Sequence, residues 1–447
     1  MPNTRPFRCE LTLLLGVFAI LIFVLDGPAA FAQRYAILHN FTGGSDGAFP
    51  DASLTLDEVG NIYGAALSDG IYHAGTIFRL AKSERGARQL PLRNEIQGVD
   101  RLATYQNDTW VFSLLYSFQG GQDGAIPEGG LTFGPNGKLY GTTDFGGGLG
   151  GLNCYGQGCG TIFSLQAPPV GSRFHDWTED ILYRFTGGSD GGDPGCKPAF
   201  DSSGNLYGTA GIGGNGCSGS GCGTVYQLTK NGQSWSFNLI HAFTGGNDGW
   251  GPNGGVTINS SGGLFGVTGM GGNGGCQYGC GTVYEFSSSG SGWSESILHA
   301  FSDGAGVYPS PGVVLADAGN IYGGTLSAQN GGNMGGVVFE LSQVNGNWTY
   351  TELFTLPSDA GGINGLTMDS AGNLYGTTSG GVSNYGSVFK LTNSGEGWTY
   401  TVLHEFRYGR DGQDPIVPVV VDPDGNIYGV TNMGGAFGYG VVFEIMQ

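Results

Sequence analysis

The chain has 447 residues, about a fifth of them glycine, and a formal net charge of −19. This glycine content has no Gly-X-Y period, which excludes collagen, and the aromatic content equals the charged content, which excludes a disordered chain. The acidic balance argues against nucleic acid as a partner, because phosphates are bound by clusters of Lys and Arg. An all-β protein with many tight, glycine-dependent turns fits this composition.

The first 32 residues have the pattern of a secretory signal peptide. Arg5 and Arg8 precede the apolar run 11–25, and the small-residue motif 30–32 follows it. The apolar run is shorter than the roughly 20 residues of a membrane span. We therefore predict a signal peptide over residues 1–32, no membrane span in the mature protein, and a secreted or periplasmic location.

Three close cysteine pairs lie in glycine-rich segments: Cys154 and Cys159, Cys217 and Cys222, and Cys276 and Cys280. In an oxidising compartment this spacing predicts local disulfides. A zinc site is the alternative, but neither a CxxC spacing nor a histidine accompanies the pairs. Cys196 is left over, either as a free thiol or as a replacement partner within the Cys217 and Cys222 pair.

One sequence unit occurs seven times after the signal. It contains a Leu-Tyr-Gly-Thr segment, a glycine-rich loop and a Gly-Thr-Val-Phe segment, and its key aromatic is found at Tyr63, Tyr140, Tyr207, Phe265, Tyr322, Tyr375 and Tyr428. Each unit divides into four short strands. Seven four-stranded units with a period of about 50 residues predict a seven-bladed β-propeller. We assign residues 33–447 to this single domain, with an insertion at about 81–107.

The two ends of the mature chain complement each other. The last unit stops after its third strand, 441–445, and the mature N-terminus begins with an isolated fourth strand, 35–41. Pairing these strands would complete the seventh blade and leave the ring without a free edge.

Two further residue types recur in phase. A proline is predicted to open the first strand in six units, at Pro50, Pro127, Pro194, Pro252, Pro309 and Pro415. A tryptophan marks the fourth strand in six units, at Trp110, Trp177, Trp235, Trp293, Trp348 and Trp398. Such regularity favours wedges between blades over ligand platforms.

The segments Asn61-Ile-Tyr-Gly, Asn373-Leu-Tyr-Gly-Thr-Thr and Gly281-Thr-Val-Tyr-Glu-Phe resemble the GloVer tandem repeat of bacterial secreted proteins, and more weakly the NHL and kelch repeats. The resemblance implies the architecture alone, since the family has no established activity. Its members carry variable C-terminal surface-sorting anchors. No such anchor is visible before Gln447, which favours a released or periplasmic protein.

Consecutive strands of a blade run in opposite directions, so the loops that join them lie alternately on two faces of the ring. The loops joining strands two and three, and those joining consecutive blades, share what we call the loop-rich face. Five non-repeating residues are expected there: Asp69, His73, Asp144, Trp250 and Cys196. Five tyrosines of these loops could stack on sugar rings or pack on the neighbouring loop: Tyr72, Tyr155, Tyr278, Tyr385 and Tyr439.

Two recurring polar positions invite a metal interpretation. An aspartate occurs once per blade connection, at Asp46, Asp123, Asp190, Asp248, Asp303, Asp359 and Asp411. Calcium needs several oxygens in one site, so an Asx turn is the simpler interpretation and calcium the alternative. Four histidines share a fourth-strand register with aromatic residues, which favours packing: His39, His241, His299 and His404.

The sequence contains no His-Glu-x-x-His motif and no phosphate loop. We therefore predict no catalytic, cofactor-binding or metal residue. The favoured hypothesis is a monomeric binding module for an extracellular glycan or protein. The alternatives are a carbohydrate lyase or hydrolase with its site on the loop-rich face, and a purely structural envelope repeat.

Overall fold

The computed structural model describes residues 33–83, 110–148, 154, 156–169, 176–214, 216–217, 219–290, 292–304, 306–329, 334–407 and 409–447. Seven antiparallel sheets account for these residues, and they confirm the seven-bladed β-propeller. The predicted signal peptide and most of the predicted insertion lie outside the described residues.

Four strands make up each blade. Blade 1 contains β2–β5 (Thr55–Leu56, Ile62–Ala66, Thr76–Lys82, Trp110–Ser117), blade 2 contains β6–β9 (Thr132–Phe133, Leu139–Thr143, Thr161–Gln166, Thr178–Arg184), and blade 3 contains β10–β13 (Ala199–Phe200, Leu206–Ala210, Thr224–Asn231, Ser234–Ala242). Blade 4 contains β14–β17 (Trp250–Ile258, Leu264–Met270, Thr282–Ser289, Gly292–Ala300). In blade 5 the first strand is broken into β18 and β19 (Val307–Pro309, Val314–Leu315), which both pair with β20 (Ile321–Ser327), followed by β21 and β22 (Val337–Val344, Asn347–Thr355).

A short 3-10 turn, Ser358–Ala360, leads into blade 6, which contains β23–β26 (Ile363–Met368, Leu374–Thr378, Ser387–Asn393, Trp398–Glu405). Blade 7 contains β27–β29 (Val420–Val421, Ile427–Thr431, Val441–Met446), and its fourth strand is β1 (Arg34–Asn40) from the other end of the described chain. Arg34 lies opposite Met446 and Asn40 opposite Val441. The predicted closure of the ring is confirmed.

The second strand of each blade is buried on both sides, and its central glycine makes room for an aromatic ring. A Cβ on Gly64 would lie 2.5 Å from the Phe78 ring, and a Cβ on Gly376 would lie 2.5 Å from the Phe389 ring. Real Cβ atoms do not approach so closely, so a side chain here would expel the ring from the core. This packing explains why Leu-Tyr-Gly-Thr is the most regular part of the repeat.

In four blades the recurring proline precedes the first strand instead of opening it, whereas Pro252 and Pro309 lie within β14 and β18. Pro127 lies five residues before β6, and its Cδ would be 2.4 Å from a Cβ added to Gly75 of the preceding blade. Gly75 has a φ of +99°. The residue before the proline, Ile126, donates its N–H to the carbonyl of Ala74 at 3.0 Å. The proline therefore joins two blades rather than starting a strand, because its flat ring fits where a glycine exposes backbone.

The tryptophans lie between blades, as their regular register suggested. Trp110 of blade 1 packs edge-on against Tyr428 of blade 7, with ring centroids 6.0 Å apart. Trp235 packs against Tyr140 of the preceding blade at 6.1 Å. These rings join the outer strand of one blade to the second strand of its neighbour.

A belt of lateral contacts joins the fourth strands around the ring. At each junction, a fourth-strand residue of one blade faces a fourth-strand residue of the next blade. The first residue occupies the position equivalent to His39. The second lies two residues after the position equivalent to Trp110. Five junctions bring two rings together: His39 and Phe112, Tyr183 and Phe237, His299 and Tyr350, Phe354 and Tyr400, and His404 and Tyr35. At the other two, Glu179 faces Tyr116 and Glu295 faces His241. We call this set of seven pairs the lateral belt.

Tyr35 closes the belt, so its removal should weaken the whole ring. Its ring stacks on His404 with centroids 3.9 Å apart, and its hydroxyl donates to the carbonyl of Asp411. We expect Tyr35→Ala to lower the free energy of unfolding by about 3 kcal/mol, and Tyr35→Phe by about 1 kcal/mol, since only the hydrogen bond is lost. Urea unfolding of residues 33–447 measures both values. Wild-type stability in Tyr35→Ala would contradict this closure.

Candidate functional site

All three predicted disulfides are present on the loop-rich face. Cys154 pairs with Cys159, Cys217 with Cys222, and Cys276 with Cys280. In blades 2 and 3 the sulfurs pack directly under a glycine of the next blade connection, Gly187 or Gly245. The disulfides therefore brace the glycine-rich loops against each other.

Cys196 is a buried free thiol, which decides between the two alternatives left by the sequence. Thr209 donates its hydroxyl hydrogen to the sulfur at 2.9 Å. Burial raises the pKa of the Cys196 thiol to about 11. A thiol held neutral in this way is a poor nucleophile.

Five of the seven recurring aspartates accept a backbone N–H within the loop between two blades. Asp46 accepts the backbone N–H of Thr42 at 3.0 Å, and Asp248 accepts that of Thr244 at 2.8 Å. The donor lies four residues before the aspartate, whereas an Asx turn binds a donor two residues after it. The same carboxylates also contact the fourth-strand register: His39 lies 3.0 Å from Asp46, and Tyr183 donates to Asp190 at 3.0 Å.

The sequence indicated packing for this register but not its pairing with the loop aspartate. Five such pairs occur, each with a spacing of seven residues: His39 and Asp46, Tyr116 and Asp123, Tyr183 and Asp190, His241 and Asp248, and His404 and Asp411. The fixed spacing is the signal that could have revealed the pairing, since both residues recur in phase.

Four carboxylates meet near the axis of the ring, where the loop-rich face begins. Asp51 and Glu128 each directly follow one of the recurring prolines, and Asp193 directly precedes another. Asp144 directly follows β7, the second strand of blade 2. We call this cluster the acidic mouth. Asp144 was selected from the sequence as a non-repeating residue, and the other three were missed. Their signal was their place beside the recurring prolines, which the structure brings close to the axis.

Burial and mutual repulsion set the protonation of the acidic mouth. Burial and the charge of Glu128 raise the pKa of Asp51 to about 8 and that of Asp193 to about 6. Burial and Glu128 also hold the pKa of Asp144 well above its usual range. Asp144 is 5% exposed, and its Oδ1 has no hydrogen-bond partner among the described residues. Asp51, Asp144 and Asp193 therefore keep their protons to a higher pH than free carboxyl groups do.

A lysine joins two blades that are not adjacent in the ring. Lys197 of blade 3 donates from Nζ to the hydroxyl of Thr55 in blade 1 at 2.8 Å. Thr55 in turn donates to the carbonyl of Leu131 in blade 2. Burial lowers the pKa of Lys197 to about 8. The side chain thus ties three blades together close to the axis.

Two of the predicted ligand residues line one open cavity on the loop-rich face. Trp250 and Tyr278 meet edge to face, with ring centroids 6.0 Å apart. The cavity has a volume of about 610 Å³ and lies between blades 3 and 4. Its walls include the amides of Asn273 and Gln277 and two half-cystines, Cys217 and Cys276. We call it the aromatic cavity.

The remaining predicted residues do not form part of this cavity. Asp69 and His73 contact each other at 3.3 Å on an exposed turn that also carries Tyr72. The ring of Tyr439 covers Gly43 of the neighbouring loop, and Tyr385 is half-buried. Packing on the next loop therefore describes Tyr439 and Tyr385. Tyr155 lies outside the described residues.

Residues 98–276 and 273–447 match the Gloeobacter/Verrucomicrobia repeat. The chain belongs to this repeat family. No curated protein matches it. The family and the disulfides together suggest an extracellular or periplasmic protein. The described part of the chain contains no helix with the length and hydrophobicity that a bilayer crossing requires.

Two solved structures are similar in outline. One is a Bacteroides fragilis protein provisionally named a 6-phosphogluconolactonase, with 13% identity, a TM-score of 0.45, and coverage of 90% of this chain and 89% of that one. The other is the extracellular domain of a provisionally assigned one-component system from B. thetaiotaomicron, with 10% identity, a TM-score of 0.47, and coverage of 92% of this chain and 40% of that one.

The raised pKa of Asp51 makes stability depend on pH. The pKa of Asp51 is near 4 in the unfolded chain and about 8 in the folded protein, so the folded protein binds more protons between these two pH values. The contribution of Asp51 to the free energy of unfolding therefore decreases as the pH rises from about 4 to about 8. We expect Asp51→Asn to be more stable than wild type at pH 8.5, on the order of 2 kcal/mol, with a smaller difference at pH 5. Urea unfolding with EDTA at both pH values measures this. An unchanged pH dependence in the variant would contradict the burial of this charge.

Proposed function

We propose that this protein is an exported binding module that holds an extracellular glycan in the aromatic cavity. The observation that carries the proposal is the meeting of Trp250 and Tyr278 at an open cavity bordered by amides. Sugar rings present apolar C–H faces and polar edges, so aromatic faces and amide groups together suit them.

The walls of the aromatic cavity are held in place before any ligand binds. The Cys217–Cys222 disulfide braces one wall and the Cys276–Cys280 disulfide the other. Gln277 donates to the Tyr278 hydroxyl at 3.2 Å, and Asn273 donates to the side chain of Asn247. A preformed site loses less conformational entropy on binding. This favours a ligand such as a glycan, whose individual contacts with a protein are weak.

The exposure of Tyr278 supports a ligand role over a packing role. Its side chain is 58% exposed, although burying an aromatic ring is favourable. Tyr439, at a comparable loop position, instead covers Gly43 with its ring. The contrast marks Tyr278 as a tyrosine whose ring remains open to a partner.

The acidic mouth supports a second candidate, a carbohydrate-active hydrolase. Burial and Glu128 hold the pKa of Asp144 well above its usual range, as a general acid requires. Hydrolysis of a glycosidic bond also requires a second carboxyl group and a place for the sugar between the two. The aromatic cavity is not lined by these carboxylates, so we favour the binding module.

The binding function predicts a localised effect of mutation. We expect Trp250→Ala and Tyr278→Ala each to lower the affinity for the polysaccharide that binds the wild-type protein by about tenfold or more. A tenfold loss of affinity corresponds to about 1.4 kcal/mol of binding free energy. Tyr72→Ala is the matched control, because Tyr72 is similarly exposed in the corresponding loop of blade 1, and it should change the affinity less than twofold. Affinity electrophoresis of residues 33–447 against a polysaccharide panel measures these effects.

The same panel separates the three functional hypotheses. Retention without release of reducing sugar supports the binding module. Release of sugar that is lost in Asp144→Asn would replace it with the hydrolase. Absence of saturable binding to every polysaccharide, together with no product, would leave the structural envelope repeat or a protein-binding module.

A further inference from the structure

The junction between blades 3 and 4 differs from every other junction of the lateral belt. At the two junctions that lack a ring pair, a glutamate takes the place of an aromatic residue. Glu179 receives a hydrogen bond from the phenol of Tyr116 at 3.2 Å. Glu295 instead faces an imidazole, that of His241. A histidine, a loop aspartate and a belt glutamate thus meet at this junction.

The three side chains are arranged as ligands of one ion would be. His241 Nε2 lies 3.2 Å from Asp248 Oδ2 and 3.9 Å from Glu295 Oε2. One ligand atom from each residue lies within 4.8 Å of the other two. Ligands at about 2.0 to 2.2 Å from a tetrahedral Zn²⁺ are roughly 3.4 Å from one another. Small rotations of the Glu295 side chain would reach that geometry.

The surroundings fix two of the three groups. Asp248 accepts the backbone N–H of Thr244 at 2.8 Å and its hydroxyl at 2.6 Å. The His241 ring packs edge-on against Phe243 with centroids 4.8 Å apart. The side chains of His241, Asp248 and Glu295 are 24%, 13% and 19% exposed. An ion could therefore enter from solvent and keep a water ligand.

The belt does not need this arrangement for its own stability. At the junction between blades 7 and 1, His39 forms the same bond to Asp46, and Phe112 supplies a stacked ring where Glu295 would be. Glu295 places a second carboxylate near Asp248, and its Oε1 is buried without a hydrogen-bond partner among the described residues. A bound cation would offset the repulsion between these two carboxylates.

We propose that His241, Asp248 and Glu295 form a binding site for a divalent transition-metal ion such as Zn²⁺. The imidazole argues against calcium, which takes six to eight oxygen ligands, and for an ion that accepts nitrogen and carboxylate together. This site differs from the aromatic cavity and does not depend on the proposed glycan binding.

The chain supplies its own templates for removing the site. Glu295→Tyr would recreate the His299 and Tyr350 stack, and His241→Tyr would recreate the Tyr116 and Glu179 hydrogen bond. Both variants should therefore fold. His39→Tyr is the control, because it alters an equivalent histidine of the belt at a junction without a glutamate.

Calorimetric titration of EDTA-treated residues 33–447 with ZnCl₂ tests the proposal. We expect one ion per chain in wild type and in His39→Tyr, and binding weakened at least tenfold in Glu295→Tyr and His241→Tyr. Zinc should raise the thermal midpoint of wild type and leave that of Glu295→Tyr unchanged. Failure of wild type to bind zinc, or wild-type affinity in both variants, would overturn the site. If both variants unfold without zinc present, cobalt absorption spectra of Asp248→Asn decide the question: a wild-type ligand-field spectrum would also overturn it.

Discussion

The structure depends on burial of each blade against its two neighbours. A four-stranded blade has apolar side chains on both faces, and its second strand is buried throughout. No blade can hide both faces alone, so each needs the next, and the last needs the first. The pairing of β1 with β29 meets that requirement. The glycine–proline junctions and the lateral belt act within a ring that this pairing closes.

Contacts at three radii join neighbouring blades. Near the axis, hydroxyls of the first strands donate to carbonyls of the next blade, as from Thr132 to Pro198. At intermediate radius, each proline covers a glycine. At the periphery, the lateral belt pairs the fourth strands. Most of these contacts use residues that recur in phase, which leaves the few departures from the repeat as the best indicators of function.

The fold could be predicted from the sequence because the repeat is almost complete in every unit. The aromatic of the second strand and the tryptophan register recur in phase from unit to unit, and the complementary chain ends complete one blade. The disulfides were predictable for the same reason, since Cys276 and Cys280 are close in the chain. Trp250 and Tyr278 were identified individually, but their meeting within blade 4 depended on a loop conformation that spacing does not define.

The missed residues are those whose partners lie in another blade. Asp51, Glu128 and Asp193 belong to consecutive blades, and only the ring brings their carboxylates together. The contact of Glu295 with His241 likewise crosses a junction. Each residue looks ordinary in its own unit. The sequence does not show which side chains of neighbouring blades lie close together until the order of the blades and the register of their outer strands are known.

The bond from Lys197 to Thr55 has a consequence for how the blades can move. It joins blade 3 to blade 1, and Thr55 in turn donates to Leu131 of the blade between them. Sliding of any one of these three blades past the others would break at least one of the two bonds, so we expect the three to shift together as a unit.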